Sequence, residues 1–230
     1  MIQLMTGFVM VFLCSGLGAQ AQMDKPINKK KVFINQIVKH PALENTVSGI
    51  IDGLAQNGYR NGDQVAVRVE SAQGNAALSS QIASKFVAKN PDVVVGVGTV
   101  SAQGFMPYVR KGEANLVFSS VTDPEQSGLV TKRRDRRYSV SGVSNFVAIE
   151  PQLELFRQIQ PALQKIGVLY NPGEANSLSV LSSLRKACQA KGITLVPQGA
   201  NKTADMPQAA MKLANDVDAL FITNDNTALA

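Results

Sequence analysis

Hydroxyl side chains directly follow an apolar run in the first half of the chain. Residues 93–97 are valine and glycine alone, and Thr99 and Ser101 come next. An apolar run rich in β-branched residues predicts a strand buried on both faces of a parallel sheet. The two hydroxyl groups would then lie where the next helix begins, beside unpaired backbone N–H groups that favour an anion. The alternative is that Thr99 and Ser101 only cap that helix.

Other polar segments also follow predicted strands or begin helices. They are residues 40–43, 122–123, 171–177 and 224–226. In successive parallel α/β units such segments meet at the carboxyl ends of the strands, where ligands bind. Hydroxyl groups and helix-start amides suit a carboxylate, whereas Asp123, Glu174 or Asp225 could neutralise an ammonium group. The set therefore fits a zwitterion, although Asp225 could equally cap the following helix.

Covalent and metal chemistry find less support in the sequence. His40 is the only histidine, and its place before Pro41 at a helix start favours a capping or turn role. The stretch GVGTVSA at 96–102 lacks both the lysine of a phosphate loop and the third glycine of a dinucleotide fingerprint. Histidines and cysteines are few and the acids are scattered. We therefore predict no catalytic residue, no metal and no cofactor.

The apolar pattern predicts two successive α/β units, and 230 residues suffice for one large or two small domains. The predicted strands of the first unit cover residues 32–38, 65–69, 93–97 and 115–121. An extended, polar connector is expected at 139–145. The second unit is predicted to contain helices at 152–163 and 205–214, a helix beyond 177, and strands at 166–170, 193–196 and 218–223.

The N-terminus has the pattern of a signal peptide. Residues 1–22 carry no charged side chain, 8–13 are apolar, and Ala19, Gln20 and Ala21 form a small-x-small cleavage signal. We therefore predict a signal peptide over 1–21 and an exported protein. After cleavage Cys188 would be the only cysteine, so no internal disulfide is expected and its thiol is interpreted as a small core residue.

The formal charge of +6 is concentrated in part in the basic run KRRDRR at 132–137. Nucleic-acid binding is one interpretation of such a run. A solvated loop is preferred, because the run lies between turn-like segments and has only Tyr138 as an aromatic neighbour.

A set of motifs in fixed order resembles a known family. The motifs are INQIVKHPAL at 34–43, TVSAQ at 99–103, VTDP at 121–124, YNPGEANS at 170–177 and TNDNT at 223–227. Together they resemble the ABC-transporter substrate-binding proteins of the tryptophan/tyrosine-type uptake family. The resemblance implies an α/β type I periplasmic-binding-protein fold, with a first lobe at 30–143, a second at 144–230 and a ligand cleft between them.

The resemblance also implies the residues that contact the ligand. On the first lobe, the carboxylate side would be held by Thr99, Ser101, Ala102 and Gln103, with Thr122 and Asp123 beside them. On the second lobe, the contacts would be Glu174, Asn176, Ser177, Asn224, Asp225 and Asn226, with one acid at the ammonium group. The mouth would be lined by His40, Pro41, Ala42 and Leu43.

Relatives of this type continue beyond the segment at 223–227 through another second-lobe strand and then return to the first lobe. The second lobe is therefore expected to be incomplete, with exposed sheet edge and apolar surface and with reduced stability.

The function that the resemblance implies is delivery of a small zwitterionic ligand, such as an aromatic amino acid, to an ABC permease in the membrane. It implies a monomer in the periplasm or another extracytoplasmic space, with no nucleic-acid partner and no enzymatic activity. Two alternatives stay open at the level of sequence. One is a ligand-sensing domain of the same fold, and the other is an α/β enzyme whose activity would depend on His40.

Overall fold

The computed structural model of this protein describes residues 29–130 and 139–229. Its first half contains β1 (Lys30–Gln36), α1 (Pro41–Gln56), β2 (Val65–Ser71), α2 (Ala76–Val87), β3 (Val93–Val97), α3 (Thr99–Arg110), β4 (Leu116–Val121) and β5 (Val140–Ser144). Its second half contains α4 (Ile149–Ile159), β6 (Lys165–Tyr170), α5 (Ala175–Ala190), β7 (Thr194–Gly199), a 3-10 turn (Thr203–Asp205), α6 (Met206–Ala214), β8 (Ala219–Ile222) and α7 (Asn226–Leu229).

The strands form two sheets, and every strand pair in them is parallel. The first sheet has the order β2-β1-β3-β4-β5, and the second has the order β7-β6-β8. We call β1 to β5 with α1 to α3 the first lobe, and α4 to α7 with β6 to β8 the second lobe. The predicted α/β class with two parallel sheets is confirmed.

The polar segment that the sequence predicts as a connector is strand β5. It pairs in parallel with β4, with Leu116 opposite Val140 and Phe118 opposite Gly142. Most of β5 is exposed, as at a sheet edge, so it lacks the apolar run that marks a central strand. An ideal Cβ on Gly142 would lie 2.2 Å from the Phe118 carbonyl oxygen, so the strand pairs closely only because residue 142 is glycine.

Helix α4 begins and ends three to four residues before the predicted bounds. It ends at Ile159, and the cap residue Gln160 has φ −125° and ψ 82°. Pro161 follows, and the ring of a proline disfavours helical geometry at the residue before it. Leu163 lies beyond the end of the helix and packs into the core of the second lobe.

Each lobe has its own apolar core. In the first lobe the rings of Phe33 and Phe86 pack with centroids 5.1 Å apart, next to the buried Phe105. In the second lobe Phe156 and Phe221 stack with centroids 5.8 Å apart. Cys188 lies in this second core, and burial raises the pKa of its thiol. The predicted role of Cys188 as a packing residue therefore agrees with its position.

A carboxylate fastens the amino ends of the central strands in each lobe. Asp92, just before β3, accepts hydrogen bonds from the Lys30 side chain and the Lys31 backbone N–H, each at 2.8 Å. Asp218, just before β8, accepts from the backbone N–H groups of Gln164 and Lys165, both at 2.8 Å. These donors favour the charged form and lower the pKa of both carboxyl groups. The opposite, carboxyl ends of the strands face the other lobe.

The predicted signal peptide at 1–21 and the basic run at 132–137 lie outside the described residues. Within 29–130 and 139–229, no helix is both long and apolar enough to span a bilayer.

The first lobe depends on a close approach between β3 and α3. An ideal Cβ on Gly96 would lie 2.4 Å from the Cα and 2.6 Å from the backbone nitrogen of Ala102. Both are backbone atoms, so they cannot move without displacing the helix. Gly96 therefore allows α3 to lie against its own strand, and this contact fixes where the helix begins.

We predict that Gly96→Ala destabilises the chain by about 2–3 kcal/mol, because its methyl group would overlap the backbone of α3. Gly104→Ala, in α3 itself, is the matched control. Its Cβ would lie 3.6 Å from the Ser79 carbonyl oxygen, an ordinary contact, so helix propensity should make it neutral or stabilising by up to about 1 kcal/mol. Urea unfolding of both variants measures the difference, and equal midpoints would contradict the close approach.

Candidate functional site

Helix α3 begins at the carboxyl edge of the first sheet without a side-chain cap. Gly98 occupies the cap position with φ +92°, and no side chain accepts a hydrogen bond from the first turn. The N–H groups of that turn, which have no partner within the helix, remain available to a ligand. The interpretation of Thr99 and Ser101 as caps is therefore wrong. Ser101 instead accepts a hydrogen bond from the Ser79 hydroxyl of α2, at 3.4 Å.

A cavity of about 80 Å³, which we call the inner cavity, lies between the two lobes beside this helix start. The first-lobe side and the connector contribute His40, Ala42, Leu43, Gly98, Thr99, Ser120, Thr122 and Asn145. The second lobe contributes Asn176, Asn224, Asn226 and Leu229. The second-lobe wall is thus built mainly from asparagine side chains, which carry no charge.

The side-chain amide of Asn176 is held in one orientation. Its Nδ2 donates to Glu174 Oε2 and to the Asn224 carbonyl oxygen, each at 3.1 Å. Both partners only accept hydrogen bonds, so the nitrogen must face them. The Oδ1 atom is buried and has no partner among the described residues. Asn176 is 3% exposed and lines the inner cavity.

Glu174 is buried and surrounded by donors. Its Oε2 accepts from Asn176 Nδ2, from the Asn226 backbone N–H at 3.1 Å and from Asn226 Nδ2 at 2.6 Å. Its Oε1 accepts from Thr227 Oγ1 at 2.8 Å and from Asn171 Nδ2 at 3.5 Å. The carboxylate therefore joins the loop after β6 to the residues that follow β8.

Asp225 makes a second connection between the same two segments. Its Oδ2 accepts from the Asn171 backbone N–H and from the Ser177 hydroxyl, each at 2.5 Å. Its Oδ1 accepts from the backbone N–H groups of Thr227 and Ala228, each at 2.9 Å, and so caps α7. The helix-capping interpretation of Asp225 is confirmed by these contacts.

Two hydrogen bonds connect the lobes beside the inner cavity. Asn224 Nδ2 donates to Thr122 Oγ1 at 3.3 Å, and the Ser179 hydroxyl donates to Asp123 Oδ2 at 3.2 Å. The other oxygen of Asp123 accepts from the backbone N–H groups of residues 125 and 126, which fixes its side chain.

A wider groove of about 670 Å³, which we call the outer groove, lies on another part of the boundary between the lobes. Its walls include the start of α2, the loop after β6 and the segment after β7. Among its lining residues are Asn75, Gln103, Asn171, Glu174, Lys202 and Thr203.

Half of the predicted ligand contacts line the inner cavity. They are His40, Ala42, Leu43, Thr99, Thr122, Asn176, Asn224 and Asn226. Gln103 and Glu174 line the outer groove instead. The residues that line neither space are Pro41, Ser101, Ala102, Asp123, Ser177 and Asp225. Pro41 is exposed, whereas the other five contact protein, as with Ser177 on Asp225 and Ala102 behind Gly96.

His40 has the capping role that its position suggests. Its Nδ1 accepts a hydrogen bond from the Ala42 backbone N–H at 3.3 Å, at the start of α1. His40 also lines the inner cavity.

Among the described residues no group of three or more histidine, cysteine or acidic side chains is arranged to bind a metal ion.

Four cavity residues were not predicted as ligand contacts: Gly98, Ser120, Asn145 and Leu229. Ser120 has φ +54°, and its hydroxyl hydrogen-bonds Thr46 Oγ1 at 3.1 Å. Asn145 follows the unpredicted strand β5, and Leu229 is an apolar residue in α7. Two of them carried a sequence signal: Gly98 lies directly before Thr99 at the end of the valine-rich run, and Asn145 is a polar residue where the chain passes between the lobes.

Comparison with known proteins identifies the family. Residues 31–230 match the family described as ABC transporter substrate binding protein. The chain belongs to this family. It is 32% identical over 225 residues to a tyrosine-binding protein from Clostridioides difficile, covering 96% of this chain and 65% of that relative. This family member thus spans about two thirds of the length of the curated relative.

Solved structures of similar sequence share the fold. A conserved domain protein from Vibrio cholerae is 39% identical with a TM-score of 0.83, over 87% of this chain and 67% of that one. An ABC domain from Streptococcus pneumoniae, solved in complex with L-Trp, is 28% identical with a TM-score of 0.82, over the same shares of the two chains. The fold is that of type I periplasmic binding proteins.

The two similar structures whose ligand state is stated differ in how well they superpose on this chain. A ligand-free, open substrate binding protein from Clostridium difficile is 31% identical, over 86% of this chain and 67% of that one, yet its TM-score is 0.60. The score for the L-Trp complex is 0.82 at 28% identity. Sequence divergence does not explain this difference. The chain as a whole therefore superposes better on the L-Trp complex than on the open, ligand-free structure.

We predict that Asp225→Asn destabilises the second lobe by about 2–3 kcal/mol, because an amide nitrogen would face donors that now share a carboxylate. Asp216→Asn is the control, since Asp216 is exposed in the same lobe and its change should cost less than about 0.5 kcal/mol. Urea unfolding with fitted slopes measures both variants. Equal stability of the two variants would show that the Asp225 contacts contribute little.

Proposed function

We propose that this protein is the solute-binding component of an ABC importer and holds an amino acid in the inner cavity. The observation that carries the proposal is the polarity of the cavity. One wall is the uncapped start of α3, which offers N–H donors, and the opposite wall offers amide oxygens from asparagines. A small molecule that carries an anionic and a cationic end fits between such walls.

The carboxylate of the ligand is proposed to lie at the start of α3. The first N–H groups of a helix and its partial positive charge stabilise an anion there. Thr99, which is 2% exposed and lines the cavity, adds a hydroxyl donor. Residue 98 must be glycine for this geometry, because its φ is +92° and an ideal Cβ would lie 2.7 Å from Ile37 Cγ2.

Binding is proposed to act by closure of the lobes. The cavity takes walls from both lobes, so a bound ligand would contact both and favour the closed arrangement. The inner cavity measures about 80 Å³ and is enclosed by residues of both lobes, so the lobes must separate to admit a ligand. The bonds from Asn224 to Thr122 and from Ser179 to Asp123 would break on opening and form again on closure.

The side chain of the ligand is proposed to be aromatic. Support comes from the relative named as tyrosine-binding and from the similar structure that contains L-Trp. The cavity geometry supports the amino-acid head group, and the relatives support the choice among side chains.

The remaining features of the proposal follow from the family. We expect an exported, extracytoplasmic protein, a monomer, that docks to a membrane permease and binds no nucleic acid. No enzymatic activity is expected. His40, which the enzyme alternative requires, uses its Nδ1 to cap α1.

Calorimetric titration with L-tryptophan, L-tyrosine and L-phenylalanine, followed by pooled amino acids, tests this function. We predict micromolar or tighter binding of at least one of them. Thr99→Val removes the hydroxyl but keeps the side-chain volume, and should weaken binding about 5- to 30-fold.

Thr194→Val is the matched control, because Thr194 is exposed on β7 and does not line the cavity. The affinity of this variant for the amino acid should equal that of the wild type. A folded sample that releases no heat with any amino acid would contradict the proposed ligand class. Equal weakening by both substitutions would contradict the role of Thr99.

A further inference from the structure

The second-lobe wall of the inner cavity has an acceptor without a donor. Among the described residues, the buried side-chain atoms that lack any hydrogen-bond partner are Asn35 Oδ1, Asn176 Oδ1 and Thr223 Oγ1. Of these three residues only Asn176 lines the inner cavity. Leaving a buried carbonyl oxygen unpaired costs about 1–3 kcal/mol, so a ligand that supplies a donor there recovers that free energy.

Asn226 offers a second acceptor on the same wall. Its Nδ2 donates to Glu174 Oε2 at 2.6 Å, which leaves its Oδ1 on the other side of the amide. An ideal Cβ on Gly98 would lie 3.9 Å from this Oδ1, so the oxygen lies close to the start of α3. Asn176 and Asn226 thus both line the wall of the inner cavity opposite the proposed carboxylate position.

The carboxylates of Glu174 and Asp225 are already occupied by hydrogen bonds from the protein. Glu174 Oε2 already accepts three hydrogen bonds and Oε1 accepts two. A carboxylate oxygen has about two lone-pair sites, so this carboxylate is saturated by protein donors. Asp225 accepts four hydrogen bonds and lines neither space between the lobes.

We infer that the ammonium group of the ligand donates to the neutral amide oxygens of Asn176 and Asn226, and that Glu174 is a positioning residue behind them. This inference rests on the proposed amino-acid binding function. The negative charge of Glu174 reaches the ammonium group through the two amides, since hydrogen bonds in a chain polarise one another. The arrangement makes the site specific for a ligand that has N–H donors at this end.

A ligand pair that differs only at the amino group tests the inference. L-tryptophan is compared with 3-(indol-3-yl)propanoate, and L-tyrosine with 3-(4-hydroxyphenyl)propanoate, by calorimetric titration of the wild-type chain. We predict that each deaminated acid binds at least 30-fold more weakly, because it leaves the buried Asn176 Oδ1 unpaired and gives Asn226 Oδ1 no donor. This comparison needs no variant, so it does not depend on how a substitution affects folding.

Substitutions then locate the interaction. Asn176→Leu removes the acceptor, and Glu174→Gln places an NH₂ group against the amide nitrogens of Asn176 and Asn226. Each should weaken binding of the amino acid about 10- to 100-fold and change binding of its deaminated partner less than threefold. Asn215→Leu makes the same chemical change at an exposed residue outside the cavity and should leave both affinities unchanged.

The outcomes separate the two proposals. If no wild-type titration with an amino acid gives heat, the proposed function fails and this inference fails with it. If the wild type binds the amino acid and its deaminated partner equally well, only this inference is overturned. If Asn176→Leu weakens both ligands by the same factor, Asn176 acts structurally and the ammonium group is bound elsewhere.

Discussion

The buried carboxylates of Glu174 and Asp225 are the interactions on which the candidate site depends. Glu174 lies in the loop after β6, and Asp225 lies in the segment after the neighbouring strand β8. Each carboxylate accepts hydrogen bonds from residues of both segments, which are up to 54 positions apart in the chain. Burying a carboxylate is costly unless donors replace its water, and here side-chain amides, hydroxyls and backbone N–H groups do so. The order imposed on Asn176 and Asn226 follows from this, because their nitrogens must face a carboxylate. Their oxygens are thereby directed to the other lobe.

The first lobe meets this wall with a rigid helix start rather than with charged side chains. Gly96 lets α3 lie against β3, and Gly98 ends the strand with a positive φ that brings the first turn of the helix to the cavity. Because a helix start offers partial charge without a mobile side chain, little conformational entropy is lost when an anion binds there. The two walls are therefore complementary in sign, although backbone N–H groups form one and asparagine amides form most of the other.

Much of this organisation was readable from residue types. The alternation of apolar strands and helices predicted the two parallel sheets, and the polar residues after Val97, at 171–177 and at 224–226 were predicted to lie at the carboxyl ends of the strands. Side-chain direction was not readable, because it depends on packing between elements. Ser101 faces Ser79 of the neighbouring helix, and Asp225 faces Ser177, so both lie within a predicted site segment without lining the cavity. Strand β5 was missed because an exposed edge strand lacks the apolar pattern of a central one.

The central claim is that the inner cavity binds an amino acid with its carboxylate at α3 and its ammonium group at the second-lobe asparagines. A crystal structure of the chain grown with L-tryptophan or L-tyrosine tests this most directly. The account predicts carboxylate oxygens within about 3 Å of the first N–H groups of α3, and the ammonium nitrogen within about 3 Å of Asn176 Oδ1. A ligand bound in the outer groove, or bound in the cavity with its two ends reversed, would contradict it.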